Sequence, residues 1–252
     1  MPGTRLDIAL VERGLCESRE RARRAVMAGQ VIVNKQPARK PSDTVLPADE
    51  ITLVAGEKYV SRGGSKLEHA LEAFHVDVQG LAALDIGAST GGFTDCLLQR
   101  GAARIYAIDV GTGQLAWKLR QDPRVVVMEG VNARHLTPTS MPDGFSPADL
   151  AVVDCSFISL TKILPVAVAL LKPSGKIIAL VKPQFEAGKK EAARGKGVIT
   201  DPVVHERVLR EIETFVTSQP QLAWRSVTAS PLLGPAGNKE FLALIEKTGT
   251  GN

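Results

Sequence analysis

Four charged residues in this chain stand in contexts where they could act together. Asp154 follows the apolar run LAVV, Lys182 follows IIALV and precedes Pro183, Glu240 opens the stretch EFLALIEK, and Lys66 lies in YVSRGGSKLEHAL. Polar residues just beyond apolar runs mark strand ends, and ligands of open α/β sheets bind outside the C-terminal ends of the strands. Burying charge there costs several kcal/mol unless it is paired, so a functional set explains these residues better than two structural salt bridges do. Two lysines and two carboxylates can orient a weak nucleophile and take its proton. The glycine-lysine context of Lys66 is not a phosphate loop: no strand precedes it, and the spacing G-x-x-x-x-G-K-[ST] is missing.

A second constellation is the turn DIGASTGGFTD, which follows the apolar stretch LAAL. A dinucleotide fingerprint reads G-x-G-x-x-G. Gly87 and Gly92 fill the first and third places, but Ser89 holds the second, where backbone must approach a pyrophosphate. Asp85 ends the preceding strand, and Asp109 lies 20 residues or so beyond the turn, the spacing that suits ribose hydroxyls. Glycines, inward acids and no phosphate-specific group suit an adenosine ligand with a cationic amino-acid tail, S-adenosylmethionine. The expected cofactor contacts are Asp85, Gly87, Ser89, Gly91, Gly92, Phe93, Asp109, Val110, Asn132 and Asp154, with Asn132 at the adenine edge.

These residues need an alternating α/β scaffold. Strands are expected at LAALDIG, RIYAIDV, RVVVMEG, DLAVVDCS, GKIIALVKP, AWRSVTAS and EFLALIEK, with helices near 91–100, 112–121, 158–172 and 202–217. The short link LLGPAGN makes the last two strands a hairpin and hence an antiparallel edge. Trp117 is expected to pack in its helix, with a contact to the cofactor's adenine as the alternative, and the polar run 186–202 to form a mobile surface loop. The expected fold class is α/β: a Rossmann-like, seven-stranded sheet with an antiparallel terminal hairpin. A small α+β domain precedes it. Domain limits are expected at 1–58 and 65–252, with 59–64 as a flexible linker.

The chain has 252 residues, 44% apolar and 23% charged, with net charge +4. Its apolar runs are far shorter than the ~20 residues of a membrane helix, and no secretory signal core opens it. Three scattered cysteines without a CxxC fit a reducing cytoplasm and no cysteine metal site. Charge is concentrated: between Arg13 and Lys40, eight basic residues face two acidic ones. Leu6, Leu10 and Val11 point to one helix, and Ser18 caps a second whose apolar face is Ala22, Ala25 and Val26. The basic side of that helix continues into Lys35, Arg39 and Lys40, a pattern suited to phosphates.

TRLDIALVERGLCESRERARRAVMAGQVIVN, with its RLD opening, SR-x-x-A helix start and G-x-V-x-V-N, resembles an S4 RNA-binding domain. The resemblance implies docking on structured RNA through shape and backbone charge, with contacts expected from Arg5, Arg19, Arg23 and Lys35; Arg62 is available for a further phosphate. RGGSKLEHAL, DIGASTGGFTDCLLQRGA, VVDCSFISL, LVKPQFE and GPAGNKEF resemble the ribose 2′-O-methyltransferases related to FtsJ. The whole chain is similar to the TlyA (hemolysin A) family of rRNA methyltransferases. That implies a cytoplasmic S-adenosylmethionine-dependent enzyme acting on ribosomal RNA or ribosomal subunits, with cytidine as target, no metal, and Lys66, Asp154, Lys182 and Glu240 as its catalytic tetrad. Two alternatives are a membrane-lysing protein, suggested by the family's second name, and an RNA base methyltransferase. Amino-group methylation usually shows [DNS]PP[YFW] where this chain has DCSF, and C5 methylation would need Cys155 as nucleophile.

Overall fold

The computed structural model describes residues 3–54, 58–188, 191, 195 and 197–249. The chain divides into two compact units, Met1–Lys58 and Tyr59–Asn252.

In the first unit, β1 (Thr4–Arg5) leads into α1 (Leu6–Glu12), followed by α2 (Arg19–Met27). Strand β2 (Val31–Val33) pairs antiparallel with β3 (Gln36–Pro37) and β5 (Ile51–Leu53), while β4 (Thr44–Val45) pairs with β1. The Ser18 side chain accepts from Arg21 N, satisfying one of the free amides of the α2 N-terminus. Leu6, Leu10, Ala22, Ala25, Val26, Val31 and Val45 form the core, so the expected apolar faces are the buried ones.

The second unit is a seven-stranded sheet between helices. Strands β6 (Ala82–Ile86), β7 (Arg104–Ile108), β8 (Val125–Met128), β9 (Ala148–Val153) and β10 (Leu171–Val181) are parallel. Strands β11 (Leu222–Ala229) and β12 (Phe241–Lys247) form the antiparallel hairpin, and the order is β11-β12-β10-β9-β6-β7-β8. Alternation of side chains splits the apolar residues between two faces. On one, Leu84, Ile86, Ala151 and Val153 pack with α6 (Leu160–Leu170) and α8 (Pro202–Thr217). On the other, Ala83, Leu150, Val152 and Ile178 pack with α3 (Gly63–Ala73) and α4 (Gly92–Gln99).

Two expectations need correction. Residues 59–64 are not a loose joint: Tyr59 is buried in the second unit's core, Val60 N donates to Asp95 Oδ2 at 2.8 Å, and Gly63 already begins α3. The helix near 112–121 shrinks to α5 (Trp117–Arg120), because Glu129 at the end of β8 accepts from the backbone N–H groups of Gly113, Gln114 and Leu115 and holds them in a turn. Trp117 is consequently 74% exposed rather than packed. The polar run 186–202 lies partly outside the described residues; its end, Asp201, caps α8 by accepting from Val203 N.

Candidate active site

Strand β6 is flanked by β7 on one side and β9 on the other, so the order reverses there and a crevice opens at the C-terminal strand ends. Registers bring the candidates to that edge. Ile86 and Ala179 both pair with Val153, which puts Gly87 and Asp154 side by side, and Asp154 N donates to Ile86 O at 2.9 Å. Val181 pairs with Phe241, so Lys182 just after one strand and Glu240 just before the other meet at the same end. Lys66 arrives from the first two turns of α3. All four line one cavity of about 550 Å³.

Within it the charges form two pairs. Lys66 Nζ donates to Glu240 Oε2 at 2.5 Å, with side chains only 9% and 1% exposed. Lys182 Nζ lies 2.6 Å from Asp154 Oδ1 and donates to Ser156 Oγ at 3.0 Å. A buried pair such as Lys66–Glu240 is a poor stabiliser relative to apolar packing, which argues that it serves chemistry. The stretch carrying Lys182 is pinned by α7 (Pro183–Glu186): Glu186 accepts from Ser159 Oγ and Leu160 N, capping α6.

The glycine turn forms the cavity's other wall, through Gly87, Ala88, Ser89, Thr90, Gly92 and Phe93. Gly87 has φ +91°, and a Cβ there would lie 2.5 Å from the Asp154 carbonyl oxygen, so only glycine fits. At Gly92 a Cβ would meet Gly64 N at 2.9 Å, so α3 and α4 approach closely where Lys66 enters. Beneath the turn, Asp85 is fully buried. Thr94 Oγ1 donates to its Oδ2 at 2.6 Å, while Oδ1 has no partner among the described residues. Burial pushes its carboxyl up to about 7; the charges of Asp154 and Asp109 act in the same direction, and the Thr94 hydrogen bond opposes them. Asp109 accepts from Ser89 N at 2.8 Å and Gly111 N at 2.7 Å, tying β7 to the turn.

The sequence pattern of the FtsJ-like methyltransferases matches residues 59–247, and that of the S4 domain residues 4–51. The chain belongs to the FtsJ-like methyltransferase family. It is 47% identical over 241 residues to the 16S/23S rRNA (cytidine-2′-O)-methyltransferase TlyA of Mycobacterium tuberculosis, covering 94% of this chain and 87% of that protein. It is 40% identical to Hemolysin A of Brachyspira hyodysenteriae, covering 95% and 98%. A solved structure from Streptococcus thermophilus, carrying a provisional hemolysin label, superposes with TM-score 0.73 at 45% identity over 99% of this chain and 90% of that one. Among the described residues, no helix is long and apolar enough to cross a membrane, and no cluster of three metal-ligating side chains occurs.

Not every candidate of the FtsJ-like unit enters the cavity. Gly91 is the left-handed N-cap of α4, Val110 is exposed beyond β7, and Asn132 caps a short 3-10 turn by accepting from Arg134 N. Asp109, Val110 and Asn132 thus lie along the ends of β7 and β8, beside the cavity rather than in its wall. Cys155 is a poor nucleophile: burial, reinforced by Asp154, pushes its thiol up to about 12, and Sγ faces Ile86 O at 3.6 Å. Arg62 stands exposed at the cavity rim. In the S4 domain, Arg23 and Lys35 are exposed, whereas Arg5 and Arg19 both bond Asp7.

Three residues of the site carry weak sequence signals and were not among the candidates. Phe157 is 90% exposed with φ +64°, its ring centroid 4.9 Å from that of Phe185, and both line the cavity. A bulky residue held in left-handed backbone is strained, and such strain gathers at functional sites. Gln184 adds a buried Oε1 with no hydrogen-bond partner among the described residues. The signal was an aromatic in each of DCSF and PQFE, beside a predicted catalytic residue.

Proposed function

We propose that the protein methylates a ribose 2′-hydroxyl in ribosomal RNA, with cytidine as the target nucleoside, the activity for which its mycobacterial relative is named. The observation that carries this reading is the convergence of two lysine–carboxylate pairs on one cavity beside the glycine turn.

The residues fit S-adenosylmethionine. A glycine turn that no Cβ could replace lies over a buried carboxylate with an unsatisfied oxygen, and Asp109 waits at the next strand end. Gly87, Ser89, Gly92 and Phe93 would enclose the cofactor's middle, with Asp109, Val110 and Asn132 at the adenosine end and Asp85 and Asp154 toward the amino-acid end. When bound, S-adenosylmethionine supplies an electrophilic methyl on a positively charged sulfur.

A ribose hydroxyl is a poor nucleophile and must be aligned with that methyl and lose its proton. Lys182 is the group nearest that proton: its ammonium first releases a proton to solvent, and the freed Nζ lone pair then takes the hydroxyl's, while Asp154 and Ser156 fix the position of Nζ. Lys66, held by Glu240, orients the hydroxyl. Alignment of this kind is worth roughly 7–11 kcal/mol of barrier, and a positioned base contributes about 10²–10⁴-fold more. The exposed ring of Phe157, packed against the half-buried Phe185, gives the target base a stacking surface, and Gln184 Oε1 can accept from an exocyclic amine. The S4 domain docks the RNA through its basic side chains, and Arg62 takes a phosphate at the cavity rim.

Transfer of tritiated methyl from S-adenosylmethionine to naked rRNA, separate subunits and whole ribosomes tests the reading. The expected product carries label at one ribose and an alkali-resistant phosphodiester beside it. Label on a base, with that bond still alkali-labile, would overturn the proposal.

A further inference from the structure

The S4 domain buries one carboxylate among its exposed cations. Asp7, in the first turn of α1, is fully buried and accepts three hydrogen bonds: from Nε and Nη2 of Arg5, both at 3.0 Å, and from Nε of Arg19 at 3.0 Å. Arg5 ends β1 and Arg19 is the first residue of α2, so one side chain joins three elements. Asp7 N in turn donates to Pro41 O at 3.0 Å. Both arginine side chains are nevertheless about half exposed. The bonds to Asp7 occupy the Nε side of each guanidinium; Nη1 of Arg5 and both terminal nitrogens of Arg19 make no hydrogen bond among the described residues.

We propose that Asp7 is a positioning residue that locks Arg5 and Arg19 into a two-armed clamp for a single RNA phosphate. This rests on the reading that the S4 domain docks RNA. Arg5 Nη2 and Arg19 Nε share the same oxygen, Oδ2, so the two guanidiniums are fixed as neighbours. Two cations and one anion leave a single positive charge, matching the one negative charge of a phosphodiester. A free surface arginine loses much rotamer freedom when it grips a phosphate, but an arginine already held side-on loses less and keeps its fork aimed outward. Arg23 and Lys35, exposed and without ion pairs among the described residues, have no such support. Asp7 stays ionised throughout the neutral range, because the Arg5 hydrogen bond outweighs burial and holds its carboxyl down at about 2.

The decisive experiment has a sign that simple charge counting gets wrong. Deleting a negative charge from a basic surface should tighten binding to a polyanion. The clamp requires the reverse: in the full-length protein, Asp7→Asn should weaken binding to purified ribosomal RNA about tenfold, with S-adenosylmethionine affinity unchanged. Affinity that is unchanged or improved overturns the clamp. Should that variant fail to fold, Arg5→Gln, Arg19→Gln and the double variant decide. The slope of log affinity against log salt becomes shallower by about 0.7–0.9 for each phosphate the protein no longer neutralises. One shared phosphate predicts a single such step for the double variant, whereas a change twice as large overturns the clamp. If neither arginine affects binding, the clamp fails; the docking reading fails with it only if Arg23→Gln and Lys35→Gln leave binding unchanged as well.

Discussion

Asparagine in place of Asp85 would remove a charge that the folded protein holds at a cost. In the native state this carboxyl sits at about 7, against 3.8 for a solvated aspartate, chiefly because it is fully buried. A raised acid pKa means the folded state binds the proton more tightly than the unfolded chain does. Stability is therefore lost as pH rises from about 4 to about 7, and the loss is constant above that. Three pH units at about 1.4 kcal/mol each give a cost of about 4 kcal/mol at pH 9, and about 1.5 kcal/mol at pH 5. The carboxamide oxygen of Asp85→Asn can still accept from Thr94, and any penalty for its buried NH₂ is independent of pH. The stability of the variant relative to the parent should thus improve by about 3 kcal/mol between pH 5 and pH 9. Urea unfolding of both proteins across that range, without cofactor, measures it, and other titrating groups cancel in the difference. A difference that stays flat with pH would refute the electrostatic argument. The same variant should bind S-adenosylmethionine more weakly by calorimetry, because the buried charge is retained for the ligand's cationic end.

Three further outcomes are expected. Lys182→Arg keeps the positive charge beside Asp154 but removes any proton acceptor, so methyl transfer should fall at least about 100-fold while cofactor affinity, read by calorimetry, is retained. Lys66→Met or Glu240→Gln alone should destabilise by about 3–5 kcal/mol in chemical denaturation, since each leaves the partner's charge buried; the double variant should regain most of that stability and stay inactive. Phe157→Ala removes the most exposed aromatic of the cavity and should weaken RNA binding by about 1–3 kcal/mol in a fluorescence titration, with cofactor affinity unchanged.

Strand ends were legible because each apolar run closes on a residue that breaks the pattern: Asp85, Asp154 and Lys182 all do so, and the structure puts all three at one sheet edge. The antiparallel hairpin followed from a link of glycine and proline too short for a crossover. What escaped depends on partners distant in sequence. Tyr59 looks like linker until α3 and α4 are packed around it, and the segment 112–116 looks helical until Glu129, more than a dozen residues on, captures its amides. Arg5 and Arg19 carry the same local signal as Arg23, yet only a buried carboxylate on the first helix separates them. Phe157 escaped because an aromatic after a strand ordinarily packs inward, whereas left-handed backbone turns this one out.

The place of β12 has a consequence in time. It enters the sheet between β10 and β11, both of which precede it in the chain, and it carries Glu240 into the cavity beside Lys182. A chain emerging from the ribosome N-terminus first therefore completes its RNA-binding domain, its glycine turn and three of its four charged groups before the gap in the sheet is closed. Until then Lys66 lacks its partner Glu240, and the β10 edge lacks β12. On the proposed function, such a nascent chain would hold RNA before it could modify it, because the lysine–carboxylate cavity is finished only when β12 slides in.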